Sequence, residues 1–130
     1  MNTYEQNLYN SIKEKTNLNN LDYSNINSYN NKNKLEILVL AIKWACQSQT
    51  IAAIEAGRKV ISHFEEEWLR DNFILTSMKT IDINDAWEVR RLLEITKGMI
   101  PILTEEVLNY VKISENAEKD ELVQDFENSN

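Results

Sequence analysis

The sequence predicts an all-α domain of six or seven helices in antiparallel pairs, packed as a bundle or stacked as a short helical array. Three observations lead there. Glycine occurs twice and proline once in 130 residues, too little turn chemistry for many strands and hairpins. Apolar residues recur at helical spacing along most of the chain. The intervals between those periodic segments are mostly short, which favours antiparallel neighbours. The length fits one domain spanning residues 1–130 with a real core. A hydrophobic content of 42% argues against wholesale disorder.

The first helix, from about residue 2 to 15, carries Tyr4, Leu8 and Ile12 four apart as an apolar stripe. Residues 17–33 follow, NLNNLDYSNINSYNNKN, in which eight of seventeen are asparagine. Asparagine prefers turns and caps to helix interiors. The segment therefore reads as a long connection, anchored by Leu18, Leu21, Tyr23, Ile26 and Tyr29. Its length is unusual for a compact domain, so it is either a wrapping segment or a disguised short helix.

A core region at 34–113 comes next. KLEILVLAIKWACQ, residues 34–47, is apolar around nearly its whole circumference, with Glu36, Lys43 and Gln47 on one narrow strip. Such a helix is expected at the centre of the domain. A tight connection through Ser48 or Thr50 as N-cap leads to 51–64, with Ala53, Gly57, Val60, Ile61 and Phe64 facing inward. Ala53 and Gly57 would let two helix backbones approach closely. That is sufficient reason to keep a glycine that costs about 1 kcal/mol of helix propensity.

Residues 65–80 are helical in composition, with a break expected near Asn72. Asp82 or Asn84 is the expected cap of the next helix, with Asp85 and Glu88 favourable in its first turn. Gly98 reads as its stop and Pro101 as a restart. The following helix, to about Ile113, aligns Leu103, Val107 and Val111. In the acidic end, 114–130, Ser114 or Asn116 is expected to cap a helix that docks Leu122, Val123 and Phe126, with ENSN frayed.

Absent residue types restrict the chemistry. Two isolated glycines leave no phosphate-cradling loop, and one histidine with one cysteine cannot form the usual zinc sites. Glu65, Glu66 and Glu67 are adjacent on a helix and point apart, so no metal site is expected there. Cys46 lies on the helix expected to be buried, where a thiol acts as a small hydrophobe, and no third group completes a Cys46–His63 pair. No cofactor is expected. No apolar run approaches the roughly 18 residues of a membrane span. The N-terminus lacks a secretory pattern, and a single cysteine suits a reducing compartment; the expected location is the cytoplasm.

The net charge of −7 is unevenly placed. Residues 1–33 balance three acids with three bases, 34–104 carry ten against nine, and 105–130 carry eight against two. Such a surface repels nucleic acid and attracts a basic protein partner. Glu115, Glu118, Asp120, Glu121 and Asp125 are the acidic candidates for that contact.

The other candidate site is DAWEVRRLLE, residues 85–94. Ala86, Val89, Leu92, Leu93 and Thr96 share its apolar face, while Trp87 points the other way with Arg90, Arg91 and Glu94. A guanidinium can stack on an indole and still fork to a carboxylate. The reading preferred from the sequence is a brace, with Trp87 and an arginine pinning a neighbouring helix or the asparagine-rich segment. The rival reading is an exposed protein-binding hot spot.

WEVRRLLEI, residues 87–95, resembles a WExRRLLE-type motif of small all-helical bacterial proteins of unknown role, with Val89 in place of an expected tyrosine. The similarity extends loosely over Trp44, Ile54-Glu55-Ala56-Gly57-Arg58, Trp68 and Asp125-Phe126, about residues 40–126. It implies HEAT-like helix pairs and no particular activity.

The expected function is a non-catalytic protein-binding module, in its sharpest form an immunity-type protein that neutralises a toxin domain. A helical scaffold holding a peptide is the alternative. An enzyme would need Arg58, Arg70, Arg90 or Arg91 to converge with Glu94 in one cleft.

Overall fold

The computed structural model describes residues 1–112 and 117–128, the side chains of 117–121 and 128 excepted. Among the described residues the chain forms seven α-helices and two short 3-10 segments, and no strands. The helices are α1 (Thr3–Thr16), α2 (Asn31–Gln47), α3 (Ile51–Ile61), α4 (Glu66–Thr80), α5 (Ala86–Met99), α6 (Thr104–Lys112) and α7 (Ala117–Asn128). The expected caps Ser114 and Asn116 lie outside the described residues.

The nearly all-apolar α2 is the hub, packing against α1, α3, α4 and α5. Its Ile37, Leu38, Ala41, Ile42, Ala45 and Cys46 are fully buried. A second group forms beyond it, in which α5 also packs on α6 and α7. Leu103, Val107 and Val111 fill that group together with Leu122 and Val123.

Gly57 sets the closest approach. A Cβ placed there would lie 2.6 Å from the Ala41 carbonyl oxygen and 2.6 Å from the Ala45 nitrogen. These contacts are with backbone, which cannot step aside as a side-chain tip can. The α2 and α3 helices are therefore antiparallel neighbours separated by little more than their own main chains.

Asparagine supplies helix ends, as its chemistry favours. Asn2 caps α1 by accepting from the Glu5 amide, and Asn30 caps α2 by accepting from the Asn33 amide. Asn17 ends α1 in the left-handed region at φ 58°.

The segment expected as an irregular connection is partly helical. Residues Tyr23–Ser28 form a 3-10 segment, capped by Asp22, and α2 begins at Asn31. Leu21 and Ile26 are buried, and Leu18, Tyr23 and Tyr29 pack at the margin of the core. Asn27 pins the segment to the start of α4: its amide donates to the His63 carbonyl at 3.0 Å, and its oxygen accepts from the Glu65 amide at 2.9 Å. Trp68 Nε1 adds a bond to Asn31 Oδ1 at 3.0 Å.

Three other boundaries depart from expectation. The α4 helix runs unbroken through Asn72, whose side-chain amide bonds back to the Trp68 carbonyl instead of interrupting the ladder. The cap of α5 is Asp85, which accepts from the amides of Trp87 and Glu88; Asp82 instead closes the preceding turn by accepting from the Asn84 amide. Gly98 lies inside α5, and the helix stops at Ile100 (φ −139°, ψ 65°). Pro101 is the reason, because it disfavours helical geometry in the residue before it. The proline then opens a 3-10 turn, Pro101–Leu103, that leads into α6.

Candidate functional site

Helix α5 positions the central candidates. Its buried face, Val89, Leu92, Leu93, Ile95 and Thr96, lies against the core, so the opposite face is left to Trp87, Arg90, Arg91 and Glu94. Asp85 fixes the first turn through two amide bonds, at 2.9 Å to Trp87 and 3.1 Å to Glu88. The tryptophan thus projects from a well-capped helix start.

Trp87 is 43% exposed, so its ring is not covered as the brace reading expects, and the link to a neighbouring helix runs through its arginine. Its indole is stacked under the Arg91 guanidinium, 4.0 Å from the ring centroid. Arg91 is held in turn by Glu94, its Nη1 lying 3.1 Å from each carboxylate oxygen. Glu94 also accepts from Arg58 Nη2 of α3 at 2.8 Å. An indole, two guanidiniums and a carboxylate therefore form one chain of contacts from α5 to α3.

Of the four arginines, Arg58 and Arg91 converge on Glu94, whereas Arg90 turns to Asp125 of α7 at 4.0 Å. Arg70 lies exposed on α4. Both oxygens of Glu94 are already engaged by guanidinium donors, which makes this carboxylate a link between helices. The Nε atoms of Arg58 and Arg91 are buried without a partner, a sign of how tightly the pair is wedged between α3 and α5.

A second clamp fixes the start of α5. Gln47, the last residue of α2, donates through Nε2 to Glu88 Oε1 at 2.8 Å and to the Thr80 carbonyl at 3.1 Å. Glu88 Oε1 also accepts from the Asp82 amide at 3.2 Å. The C-terminus of α2 and the N-terminus of α5 therefore meet, so α5 runs antiparallel to α2 and parallel to α3. Ile51, at the N-terminus of α3 and 70% exposed, consequently lies at the same end of the bundle as Trp87.

The sequence offers Arg58 as one of four arginines that could meet Glu94, but nothing in it pairs Gln47 with Glu88. Arg58 and Glu94 are 36 residues apart, and Gln47 and Glu88 are 41 apart. No local spacing connects such residues. Of the acidic candidates, Asp125 is exposed and faces Arg90. Glu115 lies outside the described residues, and for Glu118, Asp120 and Glu121 only the helical backbone is described.

Cys46 is fully buried, and burial first, then Glu88, pushes its thiol up to about 12. Arg58 and Arg91 oppose that rise and Glu94 adds to it. His63 is exposed beyond the far end of α3. Antiparallel packing leaves Cys46 and His63 about three turns apart, roughly 16 Å along the helix pair. They form no catalytic pair.

Among the described residues, no group of three or more histidine, cysteine, aspartate or glutamate side chains is arranged to hold a metal ion. Among the described residues, no helix is long and apolar enough to cross a membrane. Comparison with protein-family models, curated proteins and solved structures finds no match to this chain.

Proposed function

We propose that this chain is a non-catalytic protein-binding module that docks its partner on the outer face of α5. The observation that carries the reading is the preorganised exposure of Trp87. A large aromatic ring is left 43% open while Arg91, Glu94 and Arg58 fix its surroundings. Tryptophan and arginine dominate binding hot spots because they offer large contact areas and directional bonds. Prior ordering also lowers the entropic cost of association.

The partner we infer has a basic surface. The Arg90–Asp125 contact brings α7 beside α5, and α7 lies in the part of the chain with eight acids and two bases. That acidic stretch, lying beside the Trp87–Arg91 anchor, would steer a positively charged partner toward it. A toxin domain blocked by an immunity-type protein is one such pairing. The scaffold alternative has a narrower footing, the exposure of Leu75 on α4.

The test is affinity capture from the source cells at low and high salt, with wild type, Trp87→Ala and Asp125→Asn/Glu127→Gln compared. Trp87→Ala is expected to keep the far-ultraviolet dichroism and unfolding midpoint of wild type. It should weaken capture of a basic partner about 30-fold, the value of a hot-spot residue worth about 2 kcal/mol. Neutralising the two acids should weaken capture at low salt more than at high salt. Undiminished capture by a folded Trp87→Ala would remove the α5 face from consideration.

A further inference from the structure

Where the segment between α1 and α2 meets the C-terminal end of α3, it leaves an open hollow of about 640 Å³. That size falls within the roughly 300–1,000 Å³ of small-molecule sites. Most such sites are largely apolar, whereas here polar and carbon surface contribute in similar measure. Asn19, Asn20, Asp22 and Asn25 line it, with Tyr23 and His63 as an aromatic wall.

The polar groups here are exposed and uncommitted, so a guest can reach them. Among the described residues, no hydrogen bond uses the carboxamides of Asn19, Asn20 or Asn25. Each offers an acceptor oxygen and two N–H donors. Asp22 is half used: Ser24 donates to its Oδ1 from the amide at 2.9 Å and from the hydroxyl at 2.7 Å, while Oδ2 takes no bond. The chain that carries these groups is already fixed. The Tyr9 hydroxyl donates to the Leu21 carbonyl at 2.8 Å. The Tyr29 hydroxyl accepts from the Asp22 amide at 2.9 Å and donates to the Asp22 carbonyl at 3.1 Å. Binding would therefore cost little ordering. His63 packs against Tyr23 with centroids 5.5 Å apart and planes tilted by 37°, and His63 is itself exposed. Aromatic faces are electron-rich and favour polarised C–H groups.

We propose that this hollow binds a single neutral sugar ring. The ring's hydroxyls, each both donor and acceptor, engage the three carboxamides and Asp22 Oδ2, and a C–H face rests on the Tyr23–His63 wall. The bond to Asp22 is the strongest, because its acceptor is charged. Charge selects against anions: among the described residues no lysine or arginine lines the hollow, so a phosphate or carboxylate would face Asp22 uncompensated. The hollow meets α3 at the end opposite Ile51, so sugar binding is independent of the α5 docking face.

The test is titration of the full chain with the methyl glycosides of glucose, galactose and mannose, following the side-chain carboxamide resonances of Asn19, Asn20 and Asn25. At least one glycoside should shift them saturably. 2-Methoxytetrahydropyran, the same ring without hydroxyls, should not. Asp22→Asn, which keeps an Oδ1 acceptor for Ser24, should weaken the best ligand about tenfold, the worth of a charge-assisted bond. Asn20→Ala should weaken it about fivefold at an unchanged unfolding midpoint, the worth of one neutral hydrogen bond. Free sugars run in parallel identify the source: tighter binding of the free sugar marks a soluble monosaccharide, and equal binding marks the end of a glycan chain. No saturable shift from any glycoside, an equal response to the hydroxyl-free ring, or wild-type binding by both folded variants would overturn the assignment. Should Asp22→Asn disturb the loop, Asn20→Ala decides, since its side chain has no bond to lose.

Discussion

Gly57 and Gly98 are the chain's two glycines, and their surroundings demand opposite outcomes from the same substitution. At Gly57 an added methyl would strike the main chain of α2 at 2.6 Å; at Gly98 it would meet nothing within 4 Å. Neither has a positive φ, so both could adopt alanine's backbone geometry. Gly57→Ala should destabilise the fold by about 3 kcal/mol, since overpacking outweighs the gain in helix propensity. Gly98→Ala should stabilise it by roughly 0.5–1 kcal/mol, because the unfolded chain loses freedom at no cost in the folded one. Urea unfolding of both variants checks the pair, and equal effects would contradict the packing described. The close approach at Gly57 is legible in the sequence, because Ala53 and Gly57 fall on one helical face. Gly98 is not legible in that way: a glycine followed by Pro101 reads as a helix stop, although the proline alone imposes it.

Helix positions were largely readable from periodicity, and the errors fall where a side chain alters a local rule. Asn72 does not break α4 because its amide folds back onto the helix. Asp82, Asn84 and Asp85 are all competent caps, and only the geometry of the turn selects Asp85. What periodicity leaves open is how helices are joined sideways. The α3–α5 link rests on Glu94, shared between Arg58 and Arg91. Glu94→Gln would leave two guanidiniums, themselves largely buried, without their counter-charge. With Glu94 about one-third exposed, solvent screening holds the expected loss to about 1 kcal/mol. Trp87 should also become more mobile as Arg91 loses its anchor. Unfolding midpoints and the anisotropy decay of Trp87 fluorescence, in a variant with Trp44 and Trp68 changed to Phe, test this; unchanged values would mean that the carboxylate links nothing.

At the scale of the whole molecule, two of the described groups, Cys46 in the core and Tyr23 at its margin, hold their protons more tightly folded than unfolded. Cys46 is raised from 9.0 to about 12 and Tyr23 from 10.0 to about 12, both chiefly by burial. Each is neutral when protonated, so above its unfolded value the unfolded chain releases a proton that the folded chain keeps. Their contribution is fully present below about pH 9 and is lost progressively as pH rises towards 12. Urea midpoints between pH 8 and 11 should fall, and Cys46→Ala should remove part of the slope; a flat profile would refute the linkage. The fold class was written in composition and periodicity. The candidate site was half-written: Trp87, Arg90, Arg91 and Glu94 stand together on one helix, but the distant residues that steady them leave no mark in local spacing.

Asn27 has a further consequence, which concerns time. The α2–α3 hairpin closes over three residues and can assemble early from neighbours in the chain. Asn27 instead joins positions 36 and 38 residues away, across two intervening helices. Bringing such distant points together is the slow part of a folding search. The asparagine-rich segment is thus a latch laid across that hairpin: its closure carries the longer loop, and the packing of α2 on α3 does not run through it.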